Sequence, residues 1–294
     1  MLEQLATSTG PERIRILTGI AHHYLHNEEW DKSKLHFQSA LDAIELMNCQ
    51  IPQDELGRIH AGLSYLYWKK KEYEISISEG KLAIEILTIA KSRDLLNAMR
   101  HLGVVLIESG ACVSGLECFA EVDKLKDFDE DEILVAKDNY YTGNAYEKLE
   151  KFESALQYLN IALEIFKKRH LIWMTMLCEK SIANCNLNLD LNSKALHYAQ
   201  KAFETACFLE GNDEIIETAL LVSKVFEKNS QSDHAIFQLK SAKSIYLKTV
   251  DEPLIEPLIK LEKQLADLLE KNGEKDESIQ IRSRLGVIQN EGND

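Results

Sequence analysis

The sequence predicts an all-α chain, an α-solenoid of about seven antiparallel helix pairs that takes up nearly all of its 294 residues. Three observations carry this: the composition, a repeat of about 40 residues, and helical spacing of apolar residues inside the repeat. Hydrophobic residues make up 45% of the chain and charged residues 28%, with only four prolines. That supplies apolar material for a continuous core, and so few breakers favour helices.

The repeat is found by self-comparison. From Ala21, small residues recur at Ser64, Gly103, Gly143, Ala183, Ser223 and Ala266, in steps of 43, 39, 40, 40, 40 and 43. Twelve residues after each comes a second small residue: Ser33, Ser76, Gly115, Ala155, Ala195, Ala235 and Ser278. Three after the first anchor is a large side chain in six cases of seven, Tyr24, Tyr67, Leu106, Tyr146, Phe226 and Leu269, with Asn186 as the exception. Nineteen after it comes Ala40, Ala83, Val122, Ala162, Ala202, Ala242 or Leu285. Sixteen after it, Phe37, Phe119, Leu159 and Leu239 are bulky, whereas Gly80, Ala199 and Arg282 are not.

Two antiparallel helices explain these columns. A small residue on each lets the backbones approach, and a large one a turn away fills the space beside the contact. Neither helix buries its apolar face alone, so successive pairs stack. Within 151–166 the apolar residues fall at 152, 155, 156, 159, 161, 162, 163, 165 and 166, the spacing of an amphipathic helix. Ser8 and Thr9 ahead of Pro11 and Glu12 mark a helix start, Gly211 follows the fifth pair, and Asp251 with Pro253 opens the last. The expected repeats run over 13–49, 55–92, 95–127, 133–170, 173–210, 213–250 and 253–290, within one domain of residues 1–294.

The small, large, small, alanine order over a helix-turn-helix unit resembles the tetratricopeptide (TPR) family, over roughly residues 11–290. The fourth repeat carries it most clearly, in Gly143, Tyr146, Phe152, Ala155, Leu159 and Ala162. The family unit is usually about 34 residues. The longer unit here implies longer second helices and linkers such as 126–132. Units of this length resemble the TPR regions of bacterial signalling proteins: Rap-type peptide receptors, maltose-regulator proteins, and sensors placed before cyclase or kinase domains. The opening, Pro11-Glu12-Arg13-Ile14-Arg15-Ile16-Leu17, is similar to the start of that last group. The resemblance implies a right-handed solenoid and a non-catalytic scaffold that binds a protein or peptide in its concave groove, within bacterial signal transduction. The alternative it implies is a sensory or oligomerising module for an effector, a cyclase, kinase or transcription regulator, outside this chain.

Charge and motifs exclude other classes. The formal net charge of −14 repels phosphates, so nucleic acid is not the expected partner. No run approaches the roughly 20 apolar residues that cross a bilayer, and the first ten residues carry neither a basic nor an apolar leader, so a cytoplasmic protein without membrane contact is expected. The six cysteines, at 49, 112, 118, 178, 185 and 207, form no C-x-x-C and read as reduced packing residues. There is no phosphate loop, dinucleotide fingerprint, H-E-x-x-H or G-x-S-x-G, so no enzyme and no cofactor is expected. His22 and His26, four apart on one helix, lack a third ligand and read as solvated or groove-lining. Cys178 and Cys185 read as a core stripe. Asp127, Asp129, Glu130, Asp131 and Glu132 read as a solvated linker, lacking the spacing and glycine of a calcium loop.

The first helix of each pair is expected to line the groove, through positions six and three before the small anchor and one, four and five after it. Those 35 positions hold 12 Lys or Arg and 6 Asp or Glu, a net of +6 in a chain of −14. Asn144 and Asn184 share a slot in successive repeats, and an Asn amide both donates to and accepts from an extended backbone. Lys180 stands a turn before Asn184, Arg100 holds the Lys180 slot in the third repeat, and Lys137, Lys148 and Lys224 flank them. Arg58 belongs to the same wall, and Tyr65, Trp68 and Tyr140 add aromatic surface. Lys180 with Asn184 resembles the first pair of the carboxylate clamp of chaperone-binding TPR proteins, but Leu221 sits where the next Asn belongs. The expected partner is a protein or peptide with an acidic segment or a chain terminus. Leu254, Leu258, Leu261, Leu265, Leu268 and Leu269 form either the stacking face of the last repeat or a homodimer face.

Overall fold

The structure is a computed structural model and describes residues 8–47, 52–126, 131–210, 212–249 and 255–291. Among the described residues every regular element is helical. The chain falls into two compact units, Met1–Glu130 and Asp131–Asp294. The first holds α1 (Gly10–His26), α2 (Trp30–Met47), α3 (Gln53–Lys69), α4 (Tyr73–Ala90), α5 (Leu95–Glu108) and α6 (Cys112–Leu125). The second holds α7 (Glu132–Lys148), α8 (Phe152–Lys168), α9 (Ile172–Asn188), α10 (Asn192–Phe208), α11 (Asn212–Lys228), α12 (Ser232–Thr249), α13 (Ile255–Lys271) and α14 (Lys275–Glu291). Within each unit an odd-numbered helix packs on the even one after it, and each pair packs on the next. The first helices of neighbouring pairs also touch, giving each unit one wall made of odd-numbered helices.

All fourteen small positions are buried. Where the second one is serine its hydroxyl donates straight across the pair to the carbonyl of the first: Ser33 to Ala21 at 2.9 Å, Ser76 to Ser64 at 2.7 Å, Ser278 to Ala266 at 2.8 Å. A side chain can reach the opposite backbone only because neither helix carries bulk there. The third pair has glycine at both spots, and a Cβ on Gly115 would stand 2.9 Å from the Gly103 carbonyl oxygen and 2.5 Å from Ile107. At Gly80, where the bulky column lapses, Leu102 of the next pair fills the gap, 3.2 Å from where a Cβ would stand.

The turns repeat as strictly as the contacts. The residue seven after each first anchor has a left-handed backbone: Glu28, Lys71, Gly110, Glu150, Asp190, Ser230 and Gly273. In six of the seven turns the next amide donates back to the carbonyl three after the anchor, as from Lys151 to Tyr146 at 2.9 Å and from Leu191 to Asn186 at 2.9 Å. That six-to-one bond is the Schellman closure of a helix end. It explains how Asn186 holds a slot otherwise given to large side chains. Its backbone closes the turn like the others, and its buried amide donates to the Ile182 carbonyl at 2.8 Å.

Three sequence expectations resolve here. Leu261, Leu265, Leu268 and Leu269 are buried against α11, α12 and α14, with Leu258 packed beside them, so this stripe is the stacking face of the last pair; Leu254 lies outside the described residues. Of the acidic run, residues 127–130 lie outside the described residues. Asp131 caps α7, accepting from the Ile133 amide at 2.9 Å, and Glu132 pairs with Lys168 and Arg169 at 2.9 and 2.7 Å. Cys178 and Cys185 are fully buried, and burial pushes both thiols up to about 12, which keeps them unreactive. Cys112, Cys118 and Cys207 are likewise free thiols, and Cys49, Gly211, Asp251 and Pro253 lie outside the described residues.

Candidate functional site: the odd-helix wall

In the second unit the wall begins with a half-buried polar chain. The Tyr140 hydroxyl meets the Asn144 amide, and Ser181 on α9 donates to Asn144 Oδ1 at 3.0 Å. Ser181 and Asn184 in turn hydrogen-bond the Glu147 carboxyl. Burial raises that carboxyl from 4.5 to about 7, against the pull of its hydrogen bonds and of Lys180 and Lys148. Tyr140 is itself buried, and burial holds its phenol above the ordinary range. Asn144 therefore joins α7 to α9 while staying half-exposed, whereas Tyr140 is buried. The burial of Tyr140 corrects the expectation that its ring adds aromatic surface to the groove.

Further along, the wall opens. Lys180, Asn184, Glu217, Leu220, Leu221, Lys224, Lys260 and Gln264 line one groove of about 420 Å³. Lys180 pairs with Glu217 at 2.7 Å. Lys224 and Lys260 are exposed and make no ion pair with a described residue. Lys228 instead donates to the Leu187 carbonyl at 2.6 Å and pairs with Asp190. The Leu220 and Leu221 side chains supply the apolar floor. Lys137 and Lys148 are exposed on α7 and are not among the residues that line this groove.

The first unit's wall is chemically different. Arg58 on α3 is held by Asp94 at 2.7 Å, Asp54 at 3.1 Å and Glu55 at 3.7 Å, three carboxylates around one guanidinium. Arg100 is 9% exposed, buried in α5 rather than presented on the wall. Tyr65 packs against Trp68 and His101, with ring centroids 5.2 and 5.4 Å away, and Lys69 sits over the Trp68 ring. The expected basic surface is thus thinned over this unit: Arg58 is paired and Arg100 buried, while Arg15 and Lys69 stay exposed. His22 and His26 line the same wall, and among the described residues no group of three ligands suits a metal ion.

One slot escaped the sequence reading. The position two before the small anchor carries Ser181 in the half-buried chain, Leu221 and Gln264 in the second unit's groove, and His101 in the first unit's wall. It lies four residues from the slot six before the anchor and three from the slot one after it. It therefore belongs to the same helical stripe and was recoverable from spacing alone.

No family model matches the chain, and no curated protein matches it in sequence. Solved structures do match in fold. The quorum sensor NprR from B. thuringiensis, in its apo form, superposes with a TM-score of 0.72 at 14% identity, over 98% of this chain and 80% of that one. A Rap protein complexed with competence and sporulation factor matches with a TM-score of 0.64 at 16% identity, over 94% and 76%. A signal transduction ATPase with a tetratricopeptide repeat sensor, from Pyrococcus horikoshii, matches with a TM-score of 0.72 at 14% identity, over 94% of this chain and 42% of that one. At such identities the likeness is one of architecture, and it makes the fold a TPR-type α-solenoid. Among the described residues no helix is long and apolar enough to cross a membrane.

Proposed function

We propose that this chain is a non-catalytic scaffold whose second unit binds an extended, acidic peptide segment or chain terminus along the odd-helix wall, in bacterial signal transduction. The observation that carries the reading is the groove in which Lys224 and Lys260, two exposed cations that make no ion pair with a described residue, stand beside Asn184 and Gln264 over an apolar floor. Exposed ammonium groups attract carboxylates, and the two amides hydrogen-bond peptide backbone without selecting its side chains. Lys180, tied to Glu217, sets the edge of the groove and exchanges partners when a carboxylate arrives. Lys137 and Lys148 attract such a segment from the α7 end. The fold likeness to a Rap protein solved with a bound factor supports a peptide ligand, and the likeness to a TPR sensor supports signalling.

The test uses a fluorescein-labelled peptide of alternating Glu and Ala with a free carboxyl terminus, titrated by polarisation at low salt. Wild type is expected to bind it, and Lys224→Glu with Lys260→Glu to weaken binding at least about tenfold, with the helical signal unchanged. Equal affinity in the two proteins removes the reading.

A further inference from the structure

A second recognition site lies in the first unit, and its chemistry is unlike the lysine groove. Between α1, α3 and α5 the wall carries an open pocket of about 780 Å³. That is within the usual range for small-ligand sites, and larger than one side chain needs. Its apolar lining comes from Leu25, Ala61 and Ala98, and its rings from His22, His26, Tyr65 and His101.

Charge decides what such a pocket accepts. The one guanidinium at its edge, Arg58, is already taken by Asp94 and Asp54. Burial lowers the pKa of His22 and brings that of His101 down to about 4, so both rings are neutral at pH 7. A charged guest would shed water here while the Arg58 guanidinium and the Asp94 carboxylate of the lining are already paired with each other, which is costly. A neutral guest loses little. Among neutral guests the walls favour a planar one. Tyr65, Trp68 and His101 are packed edge-on or tilted, with centroids 5.2 to 5.6 Å apart, and His22 stands edge-on to Phe37 at 5.1 Å. Rings already locked by each other meet another ring in offset or T-shaped contact without losing further rotamer freedom. Asn97, exposed at the rim, and the Arg58–Asp94 pair offer hydrogen bonds to the backbone on either side of the guest.

We propose that this pocket is a binding site for an aromatic side chain, so that a peptide partner carries a Phe, Tyr or Trp for the first unit. Only the source of that aromatic group, a peptide, rests on the function proposed above. The pocket's preference for a neutral ring stands on its own lining.

The experiment follows the histidine imidazole resonances of the full chain by NMR during titration with four probes: the N-acetyl amides of tryptophan, leucine, lysine and aspartic acid. The expected result is saturable shifts at His22 and His101 with the tryptophan probe, at concentrations about fivefold below those needed for leucine, and none with the two charged probes. Ala61→Trp and, separately, Asn97→Trp should weaken the tryptophan probe by filling the pocket or closing its rim. Agreement of the two variants guards against misfolding of either. Absence of saturable shifts, equal response to leucine, or stronger response to a charged probe overturns the proposal. The Lys224→Glu, Lys260→Glu protein should keep the aromatic response in full. Loss of acidic-peptide binding with that response retained supports this site, and acidic-peptide binding unaffected by those charge reversals, with the aromatic response intact, sinks the lysine groove alone.

Discussion

The odd-helix walls of the two units begin from the same repeat and end with different chemistry. In the first, the two arginines of the candidate site are taken up by the fold, Arg58 by three carboxylates and Arg100 by burial, beside a pocket lined with rings. In the second, Lys224 and Lys260 make no ion pair with a described residue and stand over leucine, and the polar groups that are consumed form a half-buried chain from Tyr140 to Glu147. A count of charges per slot treats Arg58 and Lys224 alike. What a wall can bind is set by the charges left over after the fold has paired its own.

The sharpest way to break the comparison is through backbone proximity. The Gly103–Gly115 contact of the first unit has no room for a side chain, whereas Ala183 and Ala195 occupy the matching spots of the second and are fully buried. Gly115→Val should destabilise by about 3 kcal/mol in urea unfolding, because its Cβ meets a carbonyl that cannot move without its helix. Ala195→Gly should cost only about 1 kcal/mol.

Next in size is an opposite response to pH. His101 is depressed to about 4, so its unfolded form takes up a proton first as pH falls, and stability in the first unit is lost from about 6.5 downward. Glu147 is raised to about 7, so its contribution is complete below about 4.5 and is lost as pH rises toward 7. Each is worth on the order of 2 kcal/mol. Hydrogen exchange of α5 and of α9 between pH 4 and pH 8 should therefore trend in opposite directions. His101→Gln should flatten the first profile and Glu147→Gln the second; parallel profiles in the wild type would contradict this assignment.

A smaller contrast comes from the cations themselves. Arg58→Met leaves Asp54, Glu55 and Asp94 facing one another, and should cost about 1 kcal/mol of stability with acidic-peptide affinity unchanged, the pair being partly screened by water. Lys224→Met should do the reverse, lowering affinity with stability held to within about 0.5 kcal/mol. The smallest effect is expected in the turns. Glu150→Gly and Asp190→Gly, which bring two second-unit turns to the chemistry already present at Gly110 of the first, should each raise stability by about 0.5 to 1 kcal/mol, measured by denaturant midpoint.

The fold was legible because it rests on steric columns, and a column of small residues survives in one sequence. Ala21 with Ser33 and Gly143 with Ala155 could be matched by number before any contact was seen. The site was legible only in part. Lys180, Asn184 and Lys224 do share a groove, since slots on one helical face stay on that face. The roles of Arg58, Arg100 and Tyr140 depend on partners 36 or 37 residues away or on depth within a pair, as in Arg58 with Asp94 and Ser181 with Asn144. Periodicity does not carry that information. His101 and Gln264 sit two before the small anchor, a slot that lies between the five positions of the expected groove face.

The left-handed residue in each helix turn has a further consequence. From the first small residue to the second the count is always twelve, while successive repeats are set 39 to 43 residues apart. One residue added inside a turn would rotate the second helix by about 100° and swing its serine, glycine or alanine away from the neighbour it must touch. Growth and loss of chain length are thereby confined to the connectors between pairs. Extra segments grafted onto this scaffold belong there, and a loop exchanged within a hairpin has to match its length to the residue.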